Sequence, residues 1–246
     1  MGSETATPPT SSEVNVSALI LAGGVGERMG GRPKAFLQAG AGTLLERVVD
    51  QARQHADEVI VGLPAGSVGQ GSVLLRDRAV VVRGGETRQE TFTNALNVSG
   101  GEIVVIHDVA RPFAPSALWK AVIAGARNHG GAAPAITVPV RDSLATREGE
   151  WLGPPLDREG IVAIQTPYAF RRPVLDRALA AADSESWAET SVTTLVTKSG
   201  QQVFLVPGDD ANSKVTFAGD WEQARLRILG AQDDPTSIAR SSTREL

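Results

Sequence analysis

The sequence predicts an α/β fold in which helices flank a mostly parallel sheet. Short, nearly continuous runs of apolar and β-branched residues recur along the chain, as expected of strands that are buried on both faces. Segments with a helical apolar period lie between these runs, and such strand–helix alternation is typical of α/β domains. No repeat and no linker rich in Pro, Gly and Ser interrupts the interior. We therefore expect one domain over residues 17–231.

The predicted strands and helices follow one another from the start of this domain. The expected strands cover residues 18–22, 58–63, 79–82, 102–106, 133–140, 161–165 and 202–206. The expected helices cover residues 43–56, 87–98, 115–128, 173–182 and 220–229. Thr43 and Glu46 have the Ser/Thr-x-x-Glu spacing of a capping box, so the first helix is predicted to begin there.

The middle of the chain breaks this alternation. Residues 141–158 carry two glycines and two consecutive prolines between two extended segments, with Trp151 near the predicted turn. This pattern favours a hairpin or arm that leaves the body of the domain over another helix. An ordinary surface loop is the alternative interpretation.

Composition limits the possible chemistry. The 246 residues include no cysteine, which excludes disulfides, thiolate nucleophiles and Cys-based zinc sites. The 24 Lys and Arg against 28 Asp and Glu give a net charge of −4. This balance argues against general binding to nucleic acid or to anionic membranes, although it permits a local basic pocket.

The two ends of the chain differ from its interior. Residues 1–16 and 232–246 are polar, and we expect them to form a disordered leader and a disordered tail. The leader has neither the basic nor the apolar region of a secretory signal. No apolar run approaches the roughly 18 residues of a membrane helix. We therefore expect a cytoplasmic protein without a membrane or nucleic-acid partner.

A glycine-rich loop follows the first predicted strand. Residues 21–34 hold five glycines and three cations, among them Arg28 and Lys34. Glycine lets the backbone approach phosphate oxygens closely, and open α/β sheets bind ligands at this edge. Met29 breaks the dinucleotide fingerprint, and Arg32 breaks the Walker loop. We predict a phosphate-binding loop of another kind, with a merely flexible turn as the alternative.

A second polar cluster directly follows the predicted strand at residues 102–106. Asp108 follows this strand at the same predicted sheet edge, where one carboxylate could hold Mg²⁺ together with water and phosphate oxygens. The alternative is that Asp108 simply pairs with Arg111. His107 has no evident Ser or Cys partner, so we interpret it as a buried histidine rather than a catalyst. Further along, Lys214 in the segment Asn-Ser-Lys-Val-Thr would ordinarily be a solvated surface cation.

Five motifs in order resemble one enzyme family, the 2-C-methyl-D-erythritol 4-phosphate cytidylyltransferases, within the wider sugar-nucleotidyltransferases. They are the glycine loop with Pro33-Lys34, His107-Asp108-Val109-Ala110-Arg111-Pro112-Phe113, Pro139-Val140-Arg141-Asp142-Ser143, Gln165-Thr166-Pro167 and Asn212-Ser213-Lys214-Val215-Thr216. The resemblance runs from about Ser17 to Leu229. It implies a Rossmann-like, mixed, mostly parallel sheet with a protruding β-arm, and CTP-dependent transfer to a polyol phosphate.

The resemblance also implies roles for individual cations. Arg28 and Lys34 match the residues that bind the triphosphate and stabilise the transition state. Arg158 and Lys214 match the pair that positions the acceptor phosphate. The stretch at 141–158 matches an arm that interlocks two subunits, so a homodimer is expected.

The nucleotide-binding positions follow from the same resemblance. Ala22, Gly23 and Gly24 match the loop beneath the nucleotide. Gly85 and Glu86 would face the cytosine base, with Thr91 in the place usually held by Ser. Asp108 matches a residue near the acceptor and the divalent cation, which we expect to be Mg²⁺.

The expected chemistry requires no nucleophilic side chain. A sugar phosphate is largely dianionic near neutral pH, because its second pKa is about 6. It can attack the α-phosphorus of CTP directly and expel pyrophosphate. The protein must then supply alignment and positive charge where negative charge accumulates.

Several departures from the family pattern lie on the acceptor side. Residues 190–194 lack both acids of the usual Thr-Asp-Asp or Thr-Asp-Glu motif, Tyr168 replaces a Gln, and Ala145 replaces a Lys. Leu-Ala-Gly-Gly at residues 21–24 also occurs in ribitol-5-phosphate cytidylyltransferases. A cytidylyltransferase for another polyol phosphate, and a catalytically idle nucleotide-binding relative, are therefore the alternatives.

Overall fold

The computed structural model describes residues 15–24, 33–138 and 143–232. Most of the predicted leader and tail lie outside these residues. So do Arg28, most of the glycine-rich loop, and the first two residues of the predicted arm.

Twelve strands occur in the described residues. They are β1 Val16–Leu21, β2 Gln38–Ala39, β3 Gly42–Thr43, β4 Glu58–Leu63, β5 Val80–Arg83, β6 Ile103–Asp108, β7 Gly131–Thr137, β8 Ala145–Glu148, β9 Trp151–Pro155, β10 Val162–Ile164, β11 Tyr168–Arg171 and β12 Phe204–Pro207. Seven α-helices accompany them in the same ranges. They are α1 Leu44–Ala52, α2 Val68–Leu75, α3 Arg88–Val98, α4 Ser116–His129, α5 Arg172–Glu185, α6 Val192–Lys198 and α7 Ala218–Gln232.

Eight of the strands form one mixed sheet in the order β10-β7-β11-β6-β1-β4-β5, with β12 also paired to β7. β1 lies in the centre and runs parallel to β4 and to β6, and β4 runs parallel to β5. β11 is antiparallel to both of its neighbours. This arrangement confirms the predicted α/β class and the mixed, mostly parallel sheet flanked by helices.

The core lies on both faces of this sheet because side chains alternate along a strand. Ala18 and Ile20 of β1 pack with α1 and α4 on one face, and Leu19 and Leu21 pack with α3, α5 and α6 on the other. A third cluster joins Phe113, Val215 and residues of α7 beside the β2–β3 hairpin.

The predicted start of the first helix is confirmed. The Thr43 side chain accepts a hydrogen bond from the Glu46 backbone N–H, and the Glu46 carboxylate accepts one from the Thr43 backbone. The helix itself ends at Ala52, four residues before the predicted end. Thr87 and Glu90 form the same reciprocal cap at the start of α3.

Five strands and α-helices were not predicted: the short strands β2 and β3, and α2, β11 and α6. The α2 sequence contains Gly69 and Gly71, which are poor helix formers, and α6 is rich in Val and Thr. Burial of Val192, Leu195 and Val196 against the sheet stabilises α6 despite this low propensity. Tertiary packing therefore decides these elements.

The predicted break at residues 141–158 is a hairpin in its described part. β8 and β9 pair antiparallel with each other and form a sheet separate from the main one. Trp151 begins β9 directly after the turn and is 80% exposed, and Leu152 is 87% exposed. The described part of this segment is therefore a two-stranded hairpin, and its role as an arm stays a prediction.

Candidate active site

A cavity of about 1060 Å³ opens at the carboxyl-terminal edge of the sheet. Of the predicted site residues that the structure describes, all except Arg158 line it. These residues are Ala22, Gly23, Gly24, Lys34, Gly85, Glu86, Thr91, Asp108 and Lys214. They meet because β1 and β6 are parallel neighbours, with Leu21 paired to Asp108 in register, so their exits lie side by side.

The Asp108 carboxylate binds two cations in this cavity. Oδ1 accepts a hydrogen bond from Nη2 of Arg88, and Oδ2 accepts one of 2.8 Å from Nζ of Lys214. Asp108 is only 5% exposed. The predicted alternative, pairing with Arg111, is wrong, because Nη1 of Arg111 instead donates to the carbonyl of Asn212 at 2.7 Å.

These contacts keep Asp108 ionised. Burial alone would raise the pKa of the carboxyl, but the charges of Arg88 and Lys214 outweigh burial and hold that pKa well below its usual range. For Arg88, burial alone would lower the pKa of the guanidinium, but the nearby charge of Asp108 raises it. The carboxylate thus holds two cations at one wall of the cavity.

His107 lies directly beneath this wall and is fully buried. Its Nε2 lies 3.0 Å from the Arg111 carbonyl, which can only accept, so this nitrogen carries the proton. Nδ1 then accepts from the Thr166 hydroxyl at 3.1 Å, and that hydroxyl accepts from the Asp108 backbone N–H at 3.1 Å. Burial lowers the pKa of His107 to about 4, so it is neutral near pH 7. The prediction of a buried, non-catalytic histidine agrees with this arrangement.

Lys34 connects the end of the glycine-rich loop to the Lys214 segment. Its ammonium donates to the carbonyls of Val215 and Thr216 at 2.9 and 3.0 Å. In turn, the Val215 backbone N–H donates to the Ala110 carbonyl at 2.8 Å. The three separate motifs of the sequence therefore meet as one hydrogen-bonded unit.

The predicted cytidine-binding loop is held by the first turns of α3. The Thr91 hydroxyl accepts from the Gly85 N–H at 3.1 Å and donates to the Thr87 carbonyl at 3.0 Å. The Glu90 carboxylate accepts from the Glu86 N–H at 2.7 Å. These bonds fix the backbone that faces the cavity.

Thr91 is also enclosed by glycines from neighbouring elements. A Cβ placed on Gly62 of β4 would lie 2.6 Å from Cγ2 of Thr91, and one on Gly23 would lie 3.0 Å from its Oγ1. A side chain at Gly62 would therefore collide with Thr91. These glycines allow β1 and β4 to approach the cytidine loop closely.

Two predicted cations are not placed in the cavity. Arg28 lies outside the described residues. Arg158 begins a short 3-10 helix, Arg158–Gly160, on an exposed segment after the hairpin, and it does not line the cavity of its own chain.

The roles of Arg88 and Thr166 were not predicted from the sequence. Arg88 lies between Glu86 and Thr91 of the predicted cytidine-binding loop, and its position in the first turn of α3 at this edge was the available signal. Thr166 lies in the Gln-Thr-Pro motif. Its contact with Asp108 depends on the position of β11, which was not predicted.

The departures from the family pattern at Tyr168 and Val192 are structural. Both side chains are buried in the same apolar cluster beneath the sheet, and neither lines the cavity. The Ser191 hydroxyl lies 2.7 Å from the Thr193 hydroxyl at the start of α6. The Tyr168 and Val192 side chains therefore lie behind the cavity, and the Tyr168 hydroxyl interacts with Arg88, which lines it.

Two further properties concern metals and membranes. Across the described ranges, no three His, Asp or Glu side chains gather into a potential metal cluster. In the same part of the chain, no helix combines the length and apolar character that crossing a bilayer requires.

Comparison with known proteins agrees with this geometry. Residues 16–229 match the family model for 2-C-methyl-D-erythritol 4-phosphate cytidylyltransferase. The enzyme of that name from Deinococcus radiodurans is 42% identical over 212 residues, which cover 86% of this chain and 89% of the relative. The Thermus thermophilus enzyme is 38% identical over 210 residues, covering 84% and 94%.

The similarity extends to a solved three-dimensional structure. The crystal structure of the Thermus thermophilus 2-C-methyl-D-erythritol 4-phosphate cytidylyltransferase superposes with a TM-score of 0.74 at 36% identity. The match covers 87% of this chain and 99% of the other. By sequence and by structure, the chain belongs to the 2-C-methyl-D-erythritol 4-phosphate cytidylyltransferase family.

Proposed function

We propose that this chain transfers the cytidylyl group of CTP to 2-C-methyl-D-erythritol 4-phosphate and releases pyrophosphate, a step of non-mevalonate isoprenoid synthesis. Family membership supports both the reaction and its substrates. The observation that carries the proposal is the Asp108 carboxylate, which holds Arg88 and Lys214 at the wall of a cavity bordered by glycine backbone.

The chain's residues divide this cavity into two regions. Gly23, Gly24 and Lys34 border the region proposed for the triphosphate, and Gly85 and Glu86 border the one proposed for the cytosine base. Backbone N–H groups suit phosphate oxygens because they present the positive ends of fixed dipoles, and the ammonium adds a full positive charge. Arg28 completes this set in the proposal.

Lys214 serves the acceptor phosphate. A phosphate oxygen of the acceptor attacks the α-phosphorus, a new P–O bond forms, and the bond to the β-phosphate oxygen breaks. Pyrophosphate leaves with that oxygen, and no proton transfer is needed while the acceptor is dianionic. Catalysis then consists of alignment and charge stabilisation.

Asp108 acts as a positioning residue in this proposal. An ammonium on a four-carbon stem has many rotamers, and the carboxylate restricts Lys214 to one of them. Because Arg88 binds the other oxygen, the carboxylate is itself fixed from the side of the cytidine loop. The two substrate regions are thus linked through one buried group.

Mg²⁺ is part of the proposal as a companion of the nucleotide. Asp108 is a single carboxylate whose two oxygens already hold cations, so it does not form a magnesium site by itself. Phosphate oxygens of CTP would supply most ligands, as is usual for this ion. When bound, the ion would neutralise triphosphate charge, and no step above depends on it.

The homodimer and the role of Arg158 are proposed together. The exposed Trp151 and Leu152 at the tip of the hairpin form an apolar surface suited to a second copy. Arg158 follows this hairpin and lies away from its own cavity, so we assign it to the cavity of the neighbouring subunit. A cytoplasmic location, without nucleic-acid or membrane partners, remains a prediction from composition.

The test is pyrophosphate release from CTP with a panel of polyol phosphates. We expect turnover with 2-C-methyl-D-erythritol 4-phosphate to exceed that with ribitol 5-phosphate. The burial of Tyr168 and Val192 supports this order, because neither side chain lines the cavity. Preference for ribitol 5-phosphate would overturn the acceptor, and no turnover with any acceptor would favour an idle nucleotide-binding protein.

A further inference from the structure

A second cavity of about 790 Å³ lies on the other side of the segment that follows β6. Helices α1, α4 and α7 and the β2–β3 hairpin enclose it. None of the residues assigned above to the two substrates lines it. Its walls nevertheless carry several charged groups.

Two arginines meet at this cavity without a carboxylate partner among the described residues. The guanidinium carbons of Arg47 and Arg227 lie 5.6 and 4.0 Å from the centre of the Phe113 ring. Burial and the nearby charge of Arg227 lower the pKa of Arg47. Arginine side chains carry a positive charge in proteins. The two groups therefore repel each other, and an anion that contacts both would relieve that repulsion.

Both guanidinium groups are held in place. Nε of Arg47 donates to the Pro112 carbonyl at 3.0 Å, and Nη1 of Arg227 donates to the Ala211 carbonyl at 2.8 Å. Each group has five N–H donors, so these tethers leave further donors for a ligand. A tethered fork binds phosphate with little loss of side-chain entropy.

The N-terminus of α4 adds positive potential at the same cavity. Pro115 and Ser116 line it, the helix has 14 residues, and neither a side-chain cap nor an acidic residue occupies its first turn. Backbone N–H groups and the helix dipole favour anions at such an end.

The acidic groups of the wall are partly neutralised. Arg78 donates to Oε1 of Glu46 at 2.8 Å and to Oδ1 of Asp50 at 3.3 Å. The wall thus carries three arginines, Arg47, Arg78 and Arg227, against the carboxylates of Glu46 and Asp50. The net charge of these groups is therefore positive, at +1.

Two buried polar atoms in the wall have no hydrogen-bond partner within the described ranges. They are Nε1 of Trp119, a fully buried side chain, and Oε1 of Gln51. Unpaired buried polar groups are costly and are uncommon without a functional reason. Both atoms have almost no accessible area and lie beneath the cavity surface, so the proposed ligand contacts are those of the two arginines.

From these observations we infer that the cavity between α1, α4 and α7 is a second phosphate site, which binds the phosphoryl group of a small molecule between Arg47 and Arg227. It is separate from the proposed substrate cavity. The connection between them is short, because Arg47 and Gln51 both bind the Pro112 carbonyl, and Pro112 lies four residues after Asp108. Occupancy of this site would therefore hold the segment that carries Asp108.

The test is calorimetric titration with inorganic phosphate at pH 8 and constant ionic strength. The background is Lys34→Ala, which weakens phosphate binding in the substrate cavity. In this background, Arg47→Met/Arg227→Met is compared with Arg225→Met, a neighbouring arginine of α7 that pairs with Glu222. We expect the double variant to raise Kd at least tenfold and Arg225→Met to leave it unchanged.

Melting temperatures without phosphate show whether each variant folds. If the double variant does not fold, Arg227→Met alone carries the test, because its exposed guanidinium does not touch the Pro112 carbonyl. Equal Kd values for Arg227→Met and Arg225→Met would overturn the inference. A parallel titration with methyl phosphate identifies the ligand class, since tighter binding than inorganic phosphate indicates a monoester and weaker binding indicates the free ion.

Discussion

The ammonium of Lys214 lies 2.8 Å from Oδ2 of Asp108, although 106 residues separate them in the chain. The other carboxylate oxygen binds Arg88 in the first turn of α3. One buried negative charge therefore fixes two cations that come from different parts of the sequence. This arrangement makes Asp108 the most informative residue to change.

Asp108→Asn keeps the side-chain shape and removes the charge. We expect kcat/KM for the acceptor to fall about 10- to 100-fold, because Lys214 loses the partner that sets its position, at about 1.5–3 kcal/mol per charged hydrogen bond. CTP binding by calorimetry should change much less. Asp176→Asn, an exposed position on α5, is the control. A normal kcat/KM for Asp108→Asn would contradict the positioning role.

Lys34→Ala tests the triphosphate side. If its ammonium stabilises negative charge in the transition state, kcat should fall on the order of 10²–10³-fold. The loss of its bonds to the Val215 and Thr216 carbonyls should lower the melting temperature only modestly. Lys120→Ala, a surface lysine of α4, should retain turnover. Unchanged kcat in a folded Lys34→Ala protein would remove the residue from the mechanism.

Arg158→Lys separates the two substrates. Lysine keeps the charge but lacks the planar fork of arginine, so kcat/KM for the acceptor should fall. The affinity for CTP alone, measured by calorimetry, should remain the same. Arg147→Lys in β8 is the matched control. Loss of CTP affinity with normal acceptor dependence would place Arg158 on the nucleotide side.

The hairpin tip tests the proposed dimer. Replacing Trp151 and Leu152 with Ser removes the exposed apolar surface while leaving the body of the domain untouched. We expect light scattering to shift from a two-fold symmetric dimer toward the 25.8 kDa monomer, with loss of activity as Arg158 is withdrawn from the neighbouring cavity. A wild-type protein that is monomeric at micromolar concentration would refute this assembly.

The buried His107 predicts the direction in which the free energy of unfolding changes with pH. Its pKa is about 4 in the folded chain and about 6.5 when unfolded, so the unfolded state binds more protons between these values. The free energy of unfolding should therefore fall as the pH decreases from 6.5 toward 4. One proton corresponds to a slope of about 1.4 kcal/mol per pH unit.

Urea titrations across this window measure that slope. His107→Gln should reduce this slope, relative to wild type, by at most the contribution of one proton. This expectation does not depend on the absolute stability of the variant. An identical slope in wild type and His107→Gln would show that His107 does not titrate differently in the two states.

Local sequence rules predicted most of the fold. The apolar run at β6 and the capping box at Thr43 are each recognisable from a few consecutive residues, so these elements could be predicted locally. β11 and α6 could not, because β11 is defined by its two antiparallel neighbours and α6 by burial of Val192 and its fellow apolar residues. Their formation depends on contacts that are distant in sequence.

The candidate site likewise has features that local sequence predicts and features that depend on distant contacts. Strand ends at one sheet edge predicted that the glycine loop and Asp108 would meet. Which cations bind Asp108 could not be predicted, because Arg88, Arg111 and Lys214 are all close enough in the fold to compete for it. The direction of each side chain from its own element decides the pairing.

The crowding around Thr91 has a consequence for how this chain can change over time. Its methyl group occupies the space that a side chain at Gly62 would need, and a serine at position 91 would lack that methyl. Alanine at position 62 should therefore cost less stability when Thr91 has first become Ser. The order of the two substitutions matters, so the cytidine loop and strand β4 constrain each other's sequence.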